Sequence, residues 1–176
     1  MSAALRKGRE RFAEGAWAGA YEDLSRAAEE ESLAGEDLEL LATAAYMTGR
    51  EAEYLEMLER AYRTRVEREQ IVPACRCAFW IGVNLSRRGD AGPAGGWLAR
   101  ARRLLDRAGE DSVERGYLLL PRVFEHEARG EWERAAELAG EAAAIGERFG
   151  DGDLFALAGH EQGHVLIRAG RAGAAR

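Results

Sequence analysis

Small and apolar residues recur along this chain at helical spacing, and the pattern repeats about every 40 residues. Five glycines, separated by 34, 40, 41 and 40 residues, mark the copies: Gly15, Gly49, Gly89, Gly130 and Gly170. In the first four copies the residues five, nine and twelve positions after the glycine are alanine, leucine or tyrosine. Spacings of three and four residues place these side chains on one face of a helix. The pattern therefore predicts helices that pack closely through small residues.

The recurring glycines predict where helices end, because glycine enters the left-handed conformation of a helix stop without steric cost. Each unit is thus predicted to be a helix A, a tight turn at the glycine and a helix B. The predicted A helices are 3–14, 36–48, 72–88, 112–129 and 153–169. The predicted B helices are 17–31, 51–69, 91–108 and 132–148. Pro121 is predicted to kink or interrupt the fourth A helix, because proline cannot donate a helical hydrogen bond.

The repeat unit resembles a known helical repeat. The glycine, the aromatic residue two positions on in GAW and GEW, and the alanines five and twelve positions on are similar to the tetratricopeptide repeat, with units of about 40 residues. The resemblance implies an all-α fold, a right-handed α-solenoid of tetratricopeptide-like helix hairpins with about four and a half repeats. One array is expected over residues 1–176, with approximate units 1–34, 35–70, 71–110, 111–150 and 151–176, the last incomplete.

A narrower resemblance concerns bacterial regulators. Segments such as GRERFAEGAW and VERGYLLLP resemble the helical-repeat, MalT-type sensor region of LuxR-family transcriptional regulators. In that family a C-terminal helix-turn-helix reads DNA, and this sequence contains no such module. The resemblance implies a non-catalytic sensor or scaffold, a fragment or truncated relative, that does not bind nucleic acid directly.

Composition narrows the choice of partner and location. The net charge of -6 makes the average surface repel nucleic acid phosphates and anionic membranes. No apolar run is long enough for a signal peptide or a membrane span. Cys75 and Cys77, two apart on a predicted helix, point in different directions and cannot readily pair. We therefore expect a cytoplasmic protein with reduced thiols and no membrane contact.

The string HEQGH at 160–164 raises an alternative function. His160 and His164 would share one helix face, as a zinc pair requires, with Glu161 beside them as a possible base. A catalytic zinc needs a third protein ligand, and the sequence offers no glutamate or histidine downstream. The only other histidine, His126, maps one repeat later onto Leu166, at a different angular position. We therefore expect no enzyme, no metal and no cofactor; a metal-binding or hydrolytic enzyme is the alternative.

The resemblance also implies a binding surface, because the A helices of tetratricopeptide arrays line the concave face. The lining positions, together with one residue a turn earlier, hold Tyr46, Met47, Phe79, Val83, Tyr117, Leu120, Phe124, His160, His164 and Ile167. Such apolar side chains predict either an open groove for a peptide, protein or small-molecule effector, or a buried core. Arg76, Arg87 and Arg168 near the rim could hold an acidic ligand group.

A third functional hypothesis is self-association. An incomplete fifth unit would leave its A helix without a full B partner, and the exposed apolar face could be covered by a second chain in a homodimer.

Overall fold

Helices account for every regular element in residues 1–174, the part of the chain that the computed structural model describes; side chains are described to Gly170. In chain order the helices are α1 (Ala3–Ala13), α2 (Trp17–Glu30), α3 (Gly35–Met47), α4 (Glu51–Glu67), α5 (Ile71–Arg87), α6 (Ala91–Ala108), α7 (Glu114–Tyr117), α8 (Leu120–Ala128), α9 (Trp132–Phe149) and α10 (Gly152–Ala174). The all-α prediction is confirmed, and the observed bounds follow the predicted A and B helices closely. No helix in the described part is long and apolar enough to cross a membrane.

Glycine turns end the A helices, as the repeat predicted. Gly15 has a φ of 72°, and the next N–H, that of Ala16, donates to the carbonyl of Arg11 over 2.9 Å. This six-residue closure is a Schellman-type helix stop, which requires a left-handed residue. Gly49, Gly89 and Gly130 have positive φ as well. The predicted turns at these four glycines are therefore confirmed.

The fifth predicted turn does not form in the described residues. Gly170 lies inside α10, which continues to Ala174, whereas the sequence pattern placed a helix end near 169. A single glycine inside a helix costs only about 1 kcal/mol relative to alanine, which a long helix can absorb. The turn predicted at Gly170 was wrong, and α10 is one continuous helix there.

Pro121 interrupts the fourth A helix, as predicted. The region divides into α7, which ends at Tyr117, and α8, which begins at Leu120. Pro121 lies in the first turn of α8, where its missing N–H has no helical acceptor to satisfy. The break lets a proline occupy a helical repeat without the loss of an internal hydrogen bond.

The chain divides into two compact units, Met1–Leu104 and Leu105–Arg176, which are described separately. The single array over residues 1–176 and its five unit boundaries stay a prediction.

In the first unit, small residues let paired helices approach closely. α1 packs against α2, α3 against α4, and α4 against α5. A Cβ added to Gly8 would lie 2.7 Å from Cγ of Leu24, and one added to Gly82 would lie 2.7 Å from Cγ of Leu98. Both distances are too short for a carbon–carbon contact. Each glycine therefore permits an A helix to contact the leucine of its own B helix.

Buried ion pairs join helices in the first unit. Nε of Arg9 on α1 donates to Oδ1 of the buried Asp37 on α3 over 2.6 Å. Nε of the buried Arg65 on α4 donates to Oε1 of Glu39 on α3 over 2.8 Å, and its Nη1 donates to Gln70 over the same distance. Buried charges require such partners because desolvation of an unpaired ion is costly.

The second unit is built around α9, which packs against both α8 and α10. Its core contains Val123, Leu138 and Val165, all less than 2% exposed, together with the repeat alanines Ala135 and Ala139. At the start of α10, Oδ1 of Asp151 accepts a hydrogen bond from the N–H of Leu154 over 2.9 Å, which caps the helix. The packing fixes which side of α10 faces α8 and α9.

Candidate functional site

A surface cavity of about 300 Å³ lies in the second unit beside α8, the start of α9 and α10. We call it the α8–α10 cavity. Its lining residues are Phe124, Glu127, Ala128, Trp132, His164 and Arg168. The cavity is large enough for one bulky side chain or a small ligand.

Helical spacing brings the lining residues together. Glu127 and Ala128 come three and four residues after Phe124 on α8, so both lie next to Phe124 on the helix surface. His164 and Arg168 are four residues apart on α10 and also share a face. Trp132 is the first residue of α9, directly after the repeat glycine turn, and its side chain also lines the cavity. The cavity thus arises from the repeat pattern itself.

The cavity is lined by both aromatic and charged side chains. Phe124 is 49% exposed. The guanidinium of Arg168 lies 6.0 Å from the centroid of the Trp132 ring, at the outer limit of a cation–π contact. Nδ1 of His164, another lining residue, lies 3.2 Å from Oε1 of Glu127. An apolar group and a charged group of one ligand could therefore both find partners here.

The HEQGH motif contributes Glu161 and His164 to one cluster of potential metal ligands. His164 meets the acidic residues Glu127 and Glu161, with one potential ligand atom from each residue all within 4.8 Å of one another. This is the cluster of three potential metal ligands that the described residues contain, and His160 is not part of it. His126 instead contacts Glu131 at the end of the next turn. The His160–His164 metal pair, which the sequence offered only as an alternative, stays a hypothesis; the cluster joins His164 to two glutamates.

Sequence reasoning missed Glu127. Glu127 lies three residues before the turn glycine Gly130. The equivalent position of the next repeat is Ile167, which lies one helical turn after His164. Its place on the preceding A helix was a usable signal, because A helices of successive repeats are neighbours. The sequence prediction of a third ligand was limited to histidines and to residues downstream of Glu161, and Glu127 is neither.

In the second unit, the predicted concave-face residues divide into two groups. Phe124, His160, His164 and Ile167 are exposed. Tyr117 and Leu120 are each only 7% exposed and belong to the core, which corrects their assignment to an open surface. Tyr117 is held there because its hydroxyl donates to Oδ1 of Asp151 over 3.0 Å. Within the second unit, the open part of the predicted surface is therefore confined to α8 beyond Pro121 and to α10.

In the first unit, too, some of the predicted concave-face residues are exposed and others are buried. Tyr46 is exposed, and its hydroxyl accepts a hydrogen bond from Nη1 of Arg87 over 3.4 Å. Met47 is exposed beside it. Val83 is half-buried. Phe79 is 3% exposed, and its ring packs edge-on against Trp80, so it is a core residue rather than a lining one.

Comparison with solved structures identifies the fold. The chain is similar to two crystal structures of a putative kinesin light chain with nearly identical TPR-like repeats from Podosopora anserina: one is 16% identical with a TM-score of 0.59, over 96% of this chain and 86% of that one. The other, a variant with one substitution, is 16% identical with a TM-score of 0.61, over 97% and 90%. BtubC (BKLC) from P. vanneervenii is 20% identical with a TM-score of 0.62, over 93% and 70%. This fold is a tetratricopeptide-like helical repeat.

Sequence comparisons add nothing further to the fold. No protein-family model matches the chain, and no curated protein matches it. The structural likeness at 16 to 20% identity establishes the helical-repeat architecture and leaves activity and partners to be argued from the site.

Proposed function

We propose that this chain is a non-catalytic helical-repeat scaffold that binds a peptide or protein partner through the α8–α10 cavity. The observation that carries the proposal is a half-exposed aromatic side chain, Phe124, beside a cavity of about 300 Å³. An exposed aromatic residue next to a concavity is costly to leave in water and provides contact area when covered. The fold supports this role, since helical repeats present extended surfaces for contact.

The lining predicts the chemistry of the partner. Phe124 and Trp132 favour an apolar or aromatic side chain, because ring contacts add to the free energy gained by burial. Arg168 offers a cation for a carboxylate on the same partner. We therefore expect an apolar residue flanked by an acidic residue to be preferred. A small-molecule effector with an apolar body and an acid group is the second ligand class that fits.

The test is selection of binding peptides from a displayed random library against the purified chain, followed by titration of the selected peptide. Phe124→Ala should weaken binding by at least about tenfold, as expected when a central interface aromatic is truncated. Phe155→Ala is the matched control, because Phe155 is 50% exposed in the same unit and does not line the cavity. Equal effects of the two substitutions, or a selection that yields no peptide, would contradict the proposal.

A finer proposal follows from the sequence resemblance. We propose that the repeat serves as the sensor part of a cytoplasmic LuxR-type transcriptional regulator. Cys75 and Cys77 are buried two residues apart on α5, a spacing at which they do not readily pair with each other, as is typical of proteins in a reducing compartment. The test is whether the gene that encodes this chain also encodes a helix-turn-helix module; a gene without one would remove the regulator role and leave the scaffold.

Self-association through the last helix is a further proposal. Phe155 and Leu166 lie on a side of α10 that is exposed in the second unit. A second copy covering this side would make a homodimer with the same patch on both chains. Light scattering should then report a mass that rises toward twice that of the monomer with concentration, and Leu166→Glu should abolish the rise. A constant monomer mass would rule this proposal out.

A further inference from the structure

The cluster of Glu127, Glu161 and His164 in the second unit has the composition of a metal site. Glu161 and His164 are three residues apart on α10, so they lie on one helix face. Glu127 comes from α8. One carboxylate or imidazole atom from each residue lies within 4.8 Å of the other two. The three donors therefore converge from two helices.

A buried carboxylate oxygen in this cluster has an imidazole neighbour but accepts no hydrogen bond within the described part of the chain. Oε1 of Glu127 is inaccessible to solvent and accepts no hydrogen bond from the described residues. The Glu127 side chain as a whole is 15% exposed, and Nδ1 of the His164 ring lies 3.2 Å from that oxygen. When Nδ1 of His164 carries no proton, this buried anionic oxygen has no donor among the residues described, which is destabilising. A bound cation would satisfy it.

From these observations we propose that Glu127, Glu161 and His164 bind a divalent transition-metal ion of the zinc class, which links α10 to α8. Two carboxylates with one imidazole nitrogen are hard and borderline donors of the kind that such ions accept. Metal–ligand bonds of about 2.0 Å in a tetrahedron place ligand atoms about 3.3 Å apart. The ligand atoms lie within 4.8 Å of one another in the metal-free chain, so the bound ion would draw them together by at most about 1.5 Å.

The position of the site leaves room for an external ligand. Glu127 and His164 both line the α8–α10 cavity. Three protein ligands fill three positions of a tetrahedral ion, and the fourth position would hold water or an anionic group. The metal would therefore lie at the wall of the cavity where we propose that a partner docks. Metal binding itself does not depend on that partner, and the two proposals can fail separately.

The competing explanation is a simple ion pair between protonated His164 and Glu127. Titration of the metal-free chain with Zn²⁺ against a fluorescent zinc chelator distinguishes the two explanations. We expect saturation at one Zn²⁺ per chain. We also expect Zn²⁺ to raise the thermal unfolding midpoint, because an ion that binds only the folded state stabilises it. No binding, or weak binding that does not saturate at one ion per chain, would overturn the proposal.

Single substitutions locate the site. Glu127→Gln, Glu161→Gln and His164→Ala should each weaken Zn²⁺ binding by at least about tenfold, the loss seen even for outer groups of metal sites. His160→Ala is the matched control from the same HEQGH motif, and it should bind Zn²⁺ as the unchanged chain does. Circular dichroism checks that each variant retains its helices. Loss of binding in His160→Ala with retention in Glu127→Gln would replace this site with the histidine pair of the motif.

A separate variant keeps this proposal distinct from peptide docking. Phe124→Ala should bind Zn²⁺ normally, because Phe124 contributes no ligand, while it loses the selected peptide. Peptide binding measured with a chelator present tests docking alone. Co²⁺ in place of Zn²⁺ should give visible absorption without a thiolate charge-transfer band, because no cysteine is in the cluster. Such a band would exclude this ligand set.

Discussion

Gly8 on α1 lies directly beneath Leu24 on α2, and a Cβ at position 8 would come within 2.7 Å of Cγ and 3.1 Å of the backbone nitrogen of Leu24. Leu24 is fully buried, so it has little space into which it can move. Gly82 and Leu98 repeat this relationship two units later. In α10, Gly163 occupies the same position relative to the pattern, but no atom of the described residues comes within 4 Å of its added Cβ. The same glycine position is therefore covered in one helix and open in another.

This difference predicts opposite effects for one substitution at two sites. Gly8→Ala should lower the free energy of unfolding by about 1–3 kcal/mol, because the added methyl group overpacks the α1–α2 contact. Gly163→Ala should raise it by about 0.5–1 kcal/mol, because alanine favours a helix interior over glycine. Urea unfolding followed by circular dichroism, in metal-free buffer, measures both. A destabilising Gly163→Ala would show that the face of α10 is covered in solution.

Tyr54 predicts a loss of stability at alkaline pH. Its hydroxyl accepts a hydrogen bond from Nδ2 of Asn84 over 3.3 Å, and both side chains are buried. Burial, with a smaller contribution from Tyr46, raises the pKa of Tyr54 from 10.0 to about 12. The neutral form is favoured in the folded state, so its stabilising contribution is complete below pH 10 and is lost as pH rises towards 12.

Tyrosinate absorbance during an alkaline titration checks this prediction. One tyrosine should ionise near pH 12 in the folded chain, and Tyr54→Phe should lack that step. The variant should also lose less stability than the unchanged chain between pH 10 and 12. An unchanged late step in Tyr54→Phe would assign it to another tyrosine and refute the prediction.

Arg65 and Arg63 on α4 form a matched pair for a stability test. Arg65 is buried and donates to Glu39 and Gln70, whereas Arg63 is exposed and donates to the carbonyl of Glu59 on its own helix. Arg65→Ala should cost about 2 kcal/mol, since hydrogen bonds to a charged group are lost and Glu39 keeps its charge. Arg63→Ala should change stability by less than about 0.5 kcal/mol. Chemical denaturation measures the free energy of unfolding of both variants. Equal decreases in the two variants would contradict the argument that the buried ion pair stabilises the fold.

Much of the fold could be predicted because its signals are local. The spacing of Ala20, Leu24 and Ala27 depends only on the helical period, and all three are fully buried where the pattern placed them. The stop at Gly15 depends on one backbone conformation that glycine alone adopts cheaply. At Gly170 this local signal does not end the helix, because a glycine ends a helix only when packing favours a turn there.

The candidate site was less predictable because it depends on which side of each helix meets a neighbour. Phe79 and Phe124 were both predicted to line a groove, yet Phe79 is buried and Phe124 is half exposed. Periodicity identifies the residues that share a face, but the same apolar composition suits a core face and a binding face. The distinction needs the positions of the adjacent helices.

By itself, the sequence determined the turns at the first four repeat glycines, the break at Pro121 and the buried faces of the B helices, because these features follow from backbone conformation and helical spacing. Only the tertiary structure decided that His164, and not His160, meets Glu127. The two histidines are about 40° apart around the axis of α10, and the packing of α10 on α9 and α8 turns one of them towards the acidic partner. A contact between separate helices depends on that packing, which no local pattern records.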